Sequence, residues 1–231
     1  MADTETALIV GAGAGLSASL ARRLTKEGVK VALAARDVEK LSALCTETGA
    51  TAYQCDAIDP AAVAALFDSV TRDLGAPDIA IYNASNRARG PVTEIDPEAV
   101  LTAIKISCYG AFLMAQQAAK QMVARGSGAI FFTGASAGVK GFPNSSSFAM
   151  GKFGLRGLAQ SLARELHPQN IHVGHFVIDG GIEKENDPRA NRGEDGLLNP
   201  DSIAETYYQF WRQPRDSWAW EIELRPWVEK F

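Results

Sequence analysis

The 231-residue chain is 46% hydrophobic and carries a formal net charge of −4 with no block of Lys and Arg, which suits one large domain and argues against nucleic acid or an acidic membrane surface as a partner. Its three cysteines, Cys45, Cys55 and Cys108, form no CxxC pair and leave an odd one over, so neither a disulfide framework nor a metal site is expected. Residues 1–5 are polar and acidic, with no basic segment leading into an apolar run, and no uncharged apolar stretch reaches ~18 residues, so a cytoplasmic protein without a membrane-spanning helix is expected.

Strands and helices alternate along the chain. Residues 7–10 are a short apolar strand, and 17–27 have helical spacing at Leu20, Ala21 and Leu24. Residues 29–34 are a second strand, 38–47 a helix and 51–54 a third strand. A helix over 60–74 begins with a proline, which the first helical turn accepts. Residues 78–82 form a fourth strand, 97–124 one long helix and 128–133 a fifth strand. A second long helix spans 145–167, and 171–178 is a sixth strand. The stretch 183–198 turns polar, with Gly193 and Gly196, and reads as a mobile loop beside the site. Residues 200–210 are helical, and 220–224 suit a last strand. This alternation of apolar strands and helices predicts an α/β fold, a doubly wound parallel sheet covered on both faces.

The first strand runs into Gly11-Ala12-Gly13-Ala14-Gly15-Leu16-Ser17, and a helix follows at once. A helix N-terminus offers unpaired N–H groups and the positive end of its dipole to a phosphate. Glycines let the backbone turn tightly and approach that phosphate.

The spacing Gly11-x-x-x-Gly15-x-Ser17 resembles the GxxxGxG of short-chain dehydrogenases/reductases, with Ser, a residue able to cap the helix, in the third glycine place. The resemblance covers nearly the whole chain. Cys55-Asp56-Ala57 stands where that family places the Asp that meets the adenine. Tyr82-Asn83-Ala84-Ser85 stands where it has Asn-Asn-Ala-Gly, and Asp179-Gly180-Gly181-Ile182 where it has Pro-Gly-x-Val/Ile. Read alone, Asp56 serves equally as a helix cap and Asn83 as a turn residue. The resemblance implies a single Rossmann domain over 1–231 whose nicotinamide cofactor touches Gly11, Gly13, Gly15, Leu16, Asp56, Ala57, Asn83, Ala84, Lys152 and Ile182.

The second strand ends Ala34-Ala35-Arg36-Asp37. A carboxylate first in that place would accept from a ribose 2′-OH, whereas a guanidinium pairs with a 2′-phosphate. NADP(H) is therefore expected over NAD(H), with Asp37 turned away as a cap for the following helix; the alternative for Arg36 is a solvated surface residue.

The family's chemistry rests on an Asn, a Ser, and a Tyr-x-x-x-Lys pair one helical turn apart. Here Lys152 is in place, but Phe148 stands four residues before it. Ala135 falls at the serine position and Ser107 at the asparagine position. Phenylalanine has no proton to give. Ser145, Ser146 and Ser147 read as helix caps. Asp179 is an alternative acid if burial keeps it protonated, or else a turn residue. His172 and His175, on one strand at odd separation, point to opposite faces and share no metal.

The expected function is NADP(H)-dependent hydride transfer on a small apolar substrate, by a short-chain oxidoreductase whose tyrosine is replaced. The alternative is an NADP(H)-binding protein without redox turnover. Three glycines in the helix carrying Lys152, Gly151, Gly154 and Gly157, suggest close helix approach, and the resemblance implies a dimer or tetramer built on the two long helices.

Overall fold

The computed structural model describes residues 4–184 and 193–229. Seven short runs, apolar in the middle of the sheet and mixed at its edges, become strands: β1 (Thr6–Val10), β2 (Lys30–Ala35), β3 (Thr51–Gln54), β4 (Ile79–Tyr82), β5 (Gly128–Thr133), β6 (Ile171–Ile178) and β7 (Glu221–Leu224). They form one parallel sheet in the order β3-β2-β1-β4-β5-β6-β7. The chain thus winds outward from β1 in one direction, then crosses to β4 and winds outward in the other. The reversal lies between β1 and β4, where a crevice opens at the strands' C-terminal ends.

Helices cover both faces, as continuous apolar strands require. One face packs under α1 (Leu16–Lys26), α2 (Ser42–Thr48) and α7 (Pro200–Trp211). The other packs under α3 (Pro60–Asp73), α5 (Gly110–Arg125) and α6 (Ser146–Leu166). α4 (Pro97–Ile104) lies against α6. Three helices start alike: Asp59-Pro60, Asp96-Pro97 and Asn199-Pro200 each place an accepting side chain at the N-cap and a proline at the first turn.

The elements depart from the sequence pattern in a few places. The expected helix over 38–47 opens with a 3-10 turn, Glu39–Leu41, before α2. The run expected as one helix over 97–124 is continuous but holds a π-helical segment, Lys105–Tyr109, between α4 and α5. By length and composition the run Pro97–Arg125 could cross a membrane, which the sequence reading did not anticipate. Ala111, Met114, Ala115, Ala118 and Met122 on it are buried in the core, whereas Leu101, Tyr109, Phe112 and Val123 are exposed. The ends of the polar loop are pinned by a bridge between Ile182 and Leu198; residues 185–192 of that loop lie outside the described residues.

Candidate functional site

At the first strand–helix turn, Gly11 has φ +86, a left-handed value that glycine adopts without strain. A Cβ there would lie 2.5 Å from Ala84 Cα and closer still to its nitrogen. Gly11 is thus required by the approach of two backbone segments. Gly13 and Gly15 differ, with nothing within 4 Å of a Cβ at either. Gly15 is the N-cap of α1, no side chain caps that helix, and its first turn carries no acid. The result is an open cradle of backbone N–H groups at a helix N-terminus, which fits a phosphate. Leu16 contributes only backbone here, because its side chain is buried in the core. Ser17 does not cap α1, contrary to expectation. It lies inside the helix, donates to the Gly11 carbonyl at 3.2 Å and accepts from the Asn83 amide at 2.6 Å. That serine ties the glycine loop to the end of β4.

A cleft of 750 Å³ continues from this cradle across the crevice, lined by Gly11, Gly13, Arg36, Asp56, Ala57, Asn83 and Ala84 among others. Arg36 is exposed there and forms no ion pair with a carboxylate among the described residues. Lys40, outside the glycine loop, lines the same wall as a second cation. It pairs with Asp37 at 2.8 Å. Lys40 and the backbone N–H groups of Glu39 and Lys40 hold the Asp37 carboxyl below its ordinary range. Asp56 accepts from the Ile58 N–H, while the cap of α3 is Asp59.

The remaining predicted residues gather where α6 passes β5. Lys152 is buried and donates to the Thr133 carbonyl at 2.7 Å. Burial, followed by the nearby charge of Arg87, lowers its pKa to about 8. One turn earlier the Phe148 ring is buried, its centroid 5.8 Å from Lys152 Nζ. Ala135 is extended at the end of β5 and carries no polar side chain. Ser107 lies in the π-helical segment, fully buried. Its hydroxyl accepts from the Asn86 N–H and donates to the Asn86 carbonyl, both at 3.2 Å.

The serines before Phe148 do not cap α6: Ser145 is the N-cap, with no side-chain bond to the helix. Ser147 instead accepts from the Ala88 N–H at 3.1 Å and donates to its carbonyl at 2.6 Å. Asp179 is buried, and Lys140 and Arg225 lie 3.3 and 3.4 Å away. Ile182 is paired with Leu198 and packs, partly buried, against the core.

His172 and His175 do point to opposite faces. His172 stacks between Trp218 and Phe210. His175 hydrogen-bonds Glu221, which is also gripped by Arg156. Burial lowers the pKa of each to about 4. No cluster of metal-ligating side chains exists among the described residues. The glycines of α6 have a use within the chain: a Cβ at Gly151 would meet Ser107 at 2.8 Å, and one at Gly154 would meet Cys108 at 2.9 Å. Only Gly157 faces open space.

A family model described as short chain dehydrogenase matches residues 5–193. The D-threitol dehydrogenase of Mycolicibacterium smegmatis is 28% identical over 176 residues, covering 74% of this chain and 68% of that protein. The crystal structure of a short-chain dehydrogenase from Rhodopseudomonas palustris superimposes with a TM-score of 0.84 at 32% identity, covering 96% of this chain and 99% of that one. A metagenomic short-chain oxidoreductase in complex with NADP does so with a TM-score of 0.84 at 27% identity, covering 97% and 98%.

Proposed function

Because the chain belongs to the short-chain dehydrogenase family, we propose that its crevice holds NADP(H) in preference to NAD(H), and that it is an oxidoreductase acting on a small, apolar substrate. The observation that carries this reading is the open, uncapped glycine cradle leading along one cleft to an Arg36 without a carboxylate partner among the described residues. The similarity to an oxidoreductase solved with NADP lends support. In this reading the backbone around Gly11, Gly13, Gly15 and Leu16 binds the pyrophosphate, Arg36 the 2′-phosphate, and Asp56 and Ala57 the adenine. Asn83 and Ala84 line the middle of the crevice, Lys152 holds the nicotinamide ribose, and the Ile182 backbone holds the carboxamide. The whole chain acts as one domain.

When bound, the reduced cofactor supplies a hydride. The chain's own residues orient the substrate and exclude water, but Phe148, standing in the family's tyrosine position, gives no proton. Ala135 offers no hydroxyl, and Ser107 is engaged with loop backbone. Asp179 is held between cations. A substrate that accepts hydride without protonation by the enzyme, such as an iminium or a polarised alkene, suits this arrangement. The same absence of hydroxyls at 135 and 148 favours a second reading, binding of NADP(H) without turnover.

Fluorescence titration tests both. NADPH binds more tightly than NADH, Arg36→Asp weakens NADPH at least tenfold, about 1.4 kcal/mol, and Lys152→Ala weakens both cofactors. Equal loss of NADPH and NADH in Arg36→Asp refutes the 2′-phosphate assignment. Steady NADPH oxidation with ketones, enals or imines separates the enzyme from the non-catalytic binder.

A further inference from the structure

Arg87 lies in the loop between β4 and α4, and the sequence reading passed over it. Its guanidinium sits over the Phe148 ring, Cζ 3.8 Å from the centroid, on the ring that also faces Lys152. The residues on either side are each fixed by one fully buried serine: Asn86 by both hydrogen bonds of Ser107, and Ala88 by both hydrogen bonds of Ser147. A loop held at both neighbours presents one side chain in one place.

That side chain has no anionic partner among the described residues. Asp96 and Glu98 border the same depression, but Asp96 is engaged in capping α4 and neither forms an ion pair with Arg87. Burial and then Arg89 lower its pKa below the ordinary value, and Arg87 in turn adds to the depression of Lys152. No hydrogen bond among the described residues engages the guanidinium N–H donors while it sits over the ring, so its forked geometry, which matches a carboxylate, stays available. Further along the same loop, Pro91 and Val92 border a 510 Å³ cleft with Phe142 and Ala149 across it, a lining more apolar than polar although Thr93, Asn144 and Ser146 share it.

We propose that Arg87 is the anion-binding residue of the substrate site, and that the substrate is an apolar body bearing a carboxylate. The inference deepens the function proposed above and rests on it for the location of the substrate. Phe148 then acts as the platform that orients the guanidinium, and Ser107 and Ser147 are positioning residues that set the loop.

Benzoate and its neutral isostere benzamide are the probes, titrated by calorimetry into the protein with and without NADPH. The wild type is expected to prefer benzoate at least tenfold. Arg87→Gln removes that preference and weakens benzoate at least tenfold, with NADPH affinity changed less than twofold. Arg87→Lys, which keeps the charge but not the fork, falls between. Ser147→Ala weakens benzoate without changing any charge, and Arg89→Gln leaves the preference intact. The proposal is overturned if benzamide binds as well as benzoate, if Arg87→Gln binds benzoate like the wild type, or if Arg89→Gln is the variant that loses it. An equal fall in NADPH affinity in Arg87→Gln would assign the residue to the cofactor and also overturn it. Failure of the wild type to bind NADPH would refute the cofactor reading alone, because the benzoate titration of the cofactor-free protein still decides the role of Arg87.

Discussion

Substituting Gly11 and Gly13 by alanine, two residues apart in one loop, should separate folding from binding. At Gly11 an added Cβ meets the backbone of Ala84 at 2.5 Å or less, and φ +86 disfavours any L side chain. The left-handed backbone costs about 1–2 kcal/mol and forced overpacking about 1–3 kcal/mol, so Gly11→Ala should lose about 2–5 kcal/mol in all. In a chain of this size that lowers Tm by roughly 4–20 °C. At Gly13 a Cβ meets nothing within 4 Å and φ is not positive, so Gly13→Ala should leave Tm unchanged or slightly raised. The methyl would then stand in the cradle, and NADPH affinity should fall at least tenfold. Differential scanning calorimetry without cofactor gives the first quantity and NADPH titration the second. A Gly11→Ala protein that melts with the wild type would refute the packing argument. A Gly13→Ala protein that binds NADPH normally would refute the placement of the pyrophosphate.

Phe148→Tyr with Ala135→Ser should create or raise ketone reductase activity at least tenfold with little change in NADPH affinity, since an added phenol would lie near Lys152 and Arg87 and acid–base groups contribute typically ~10²–10⁴-fold; a double variant that binds NADPH yet stays inert with every ketone tried would exclude a carbonyl pocket. Acid should destabilise the protein through His172, whose folded pKa of about 4 lies below the ordinary 6.5. The unfolded chain takes up its proton first, so stability is whole above pH 6.5 and is lost as pH falls toward 4, by about 3 kcal/mol at most. His172→Phe should show a smaller drop in urea midpoint between pH 7 and pH 5 than the wild type, and an equal drop would remove His172 as the cause. Exposed Phe112, Val123 and Phe153 on α5 and α6, with Gly157 facing open space, lead to the expectation of a dimer or larger assembly in sedimentation at micromolar concentration; a single-chain species alone would refute it.

The order of strands and helices was legible because a parallel sheet covered on both faces demands continuous apolar runs separated by amphipathic helices, and this chain supplies them at nearly every step. The glycine loop was legible for the same kind of reason, since its spacing answers to local backbone geometry. What the pattern could not show was tertiary. A hydroxyl at position 17 reads as a cap until β4 arrives beside it and Asn83 claims it. The serines before Phe148 read as caps until Ala88 is brought against Ser147 from 59 residues away. The π-helical segment at Lys105–Tyr109 widens the helix by about one residue, too little to disturb a hydrophobic period, and Ser107 within it meets Asn86 of the loop. Gly151 and Gly154 correctly signalled close approach, but the partner is the chain's own π-helical segment, which leaves Gly157 alone to argue for a second copy. Arg87 carried no local signal at all, because its meaning depends on a ring 61 positions further along the chain.

The paired grip of Ser107 on Asn86 and Ser147 on Ala88 uses the main-chain N–H and carbonyl of each loop residue and no loop side chain. The course of the β4–α4 connection around these residues is therefore held by two hydroxyls in the scaffold, with the Gly90 N–H on the Asn144 carbonyl beyond them, and not by the side chains at 87 and 89. Those positions are interchangeable inserts in a fixed mount. A library randomised at 87 and 89 should retain the wild-type fold in most members while its ligand preferences scatter, whereas randomising 107 and 147 should blur the preferences of every member at once.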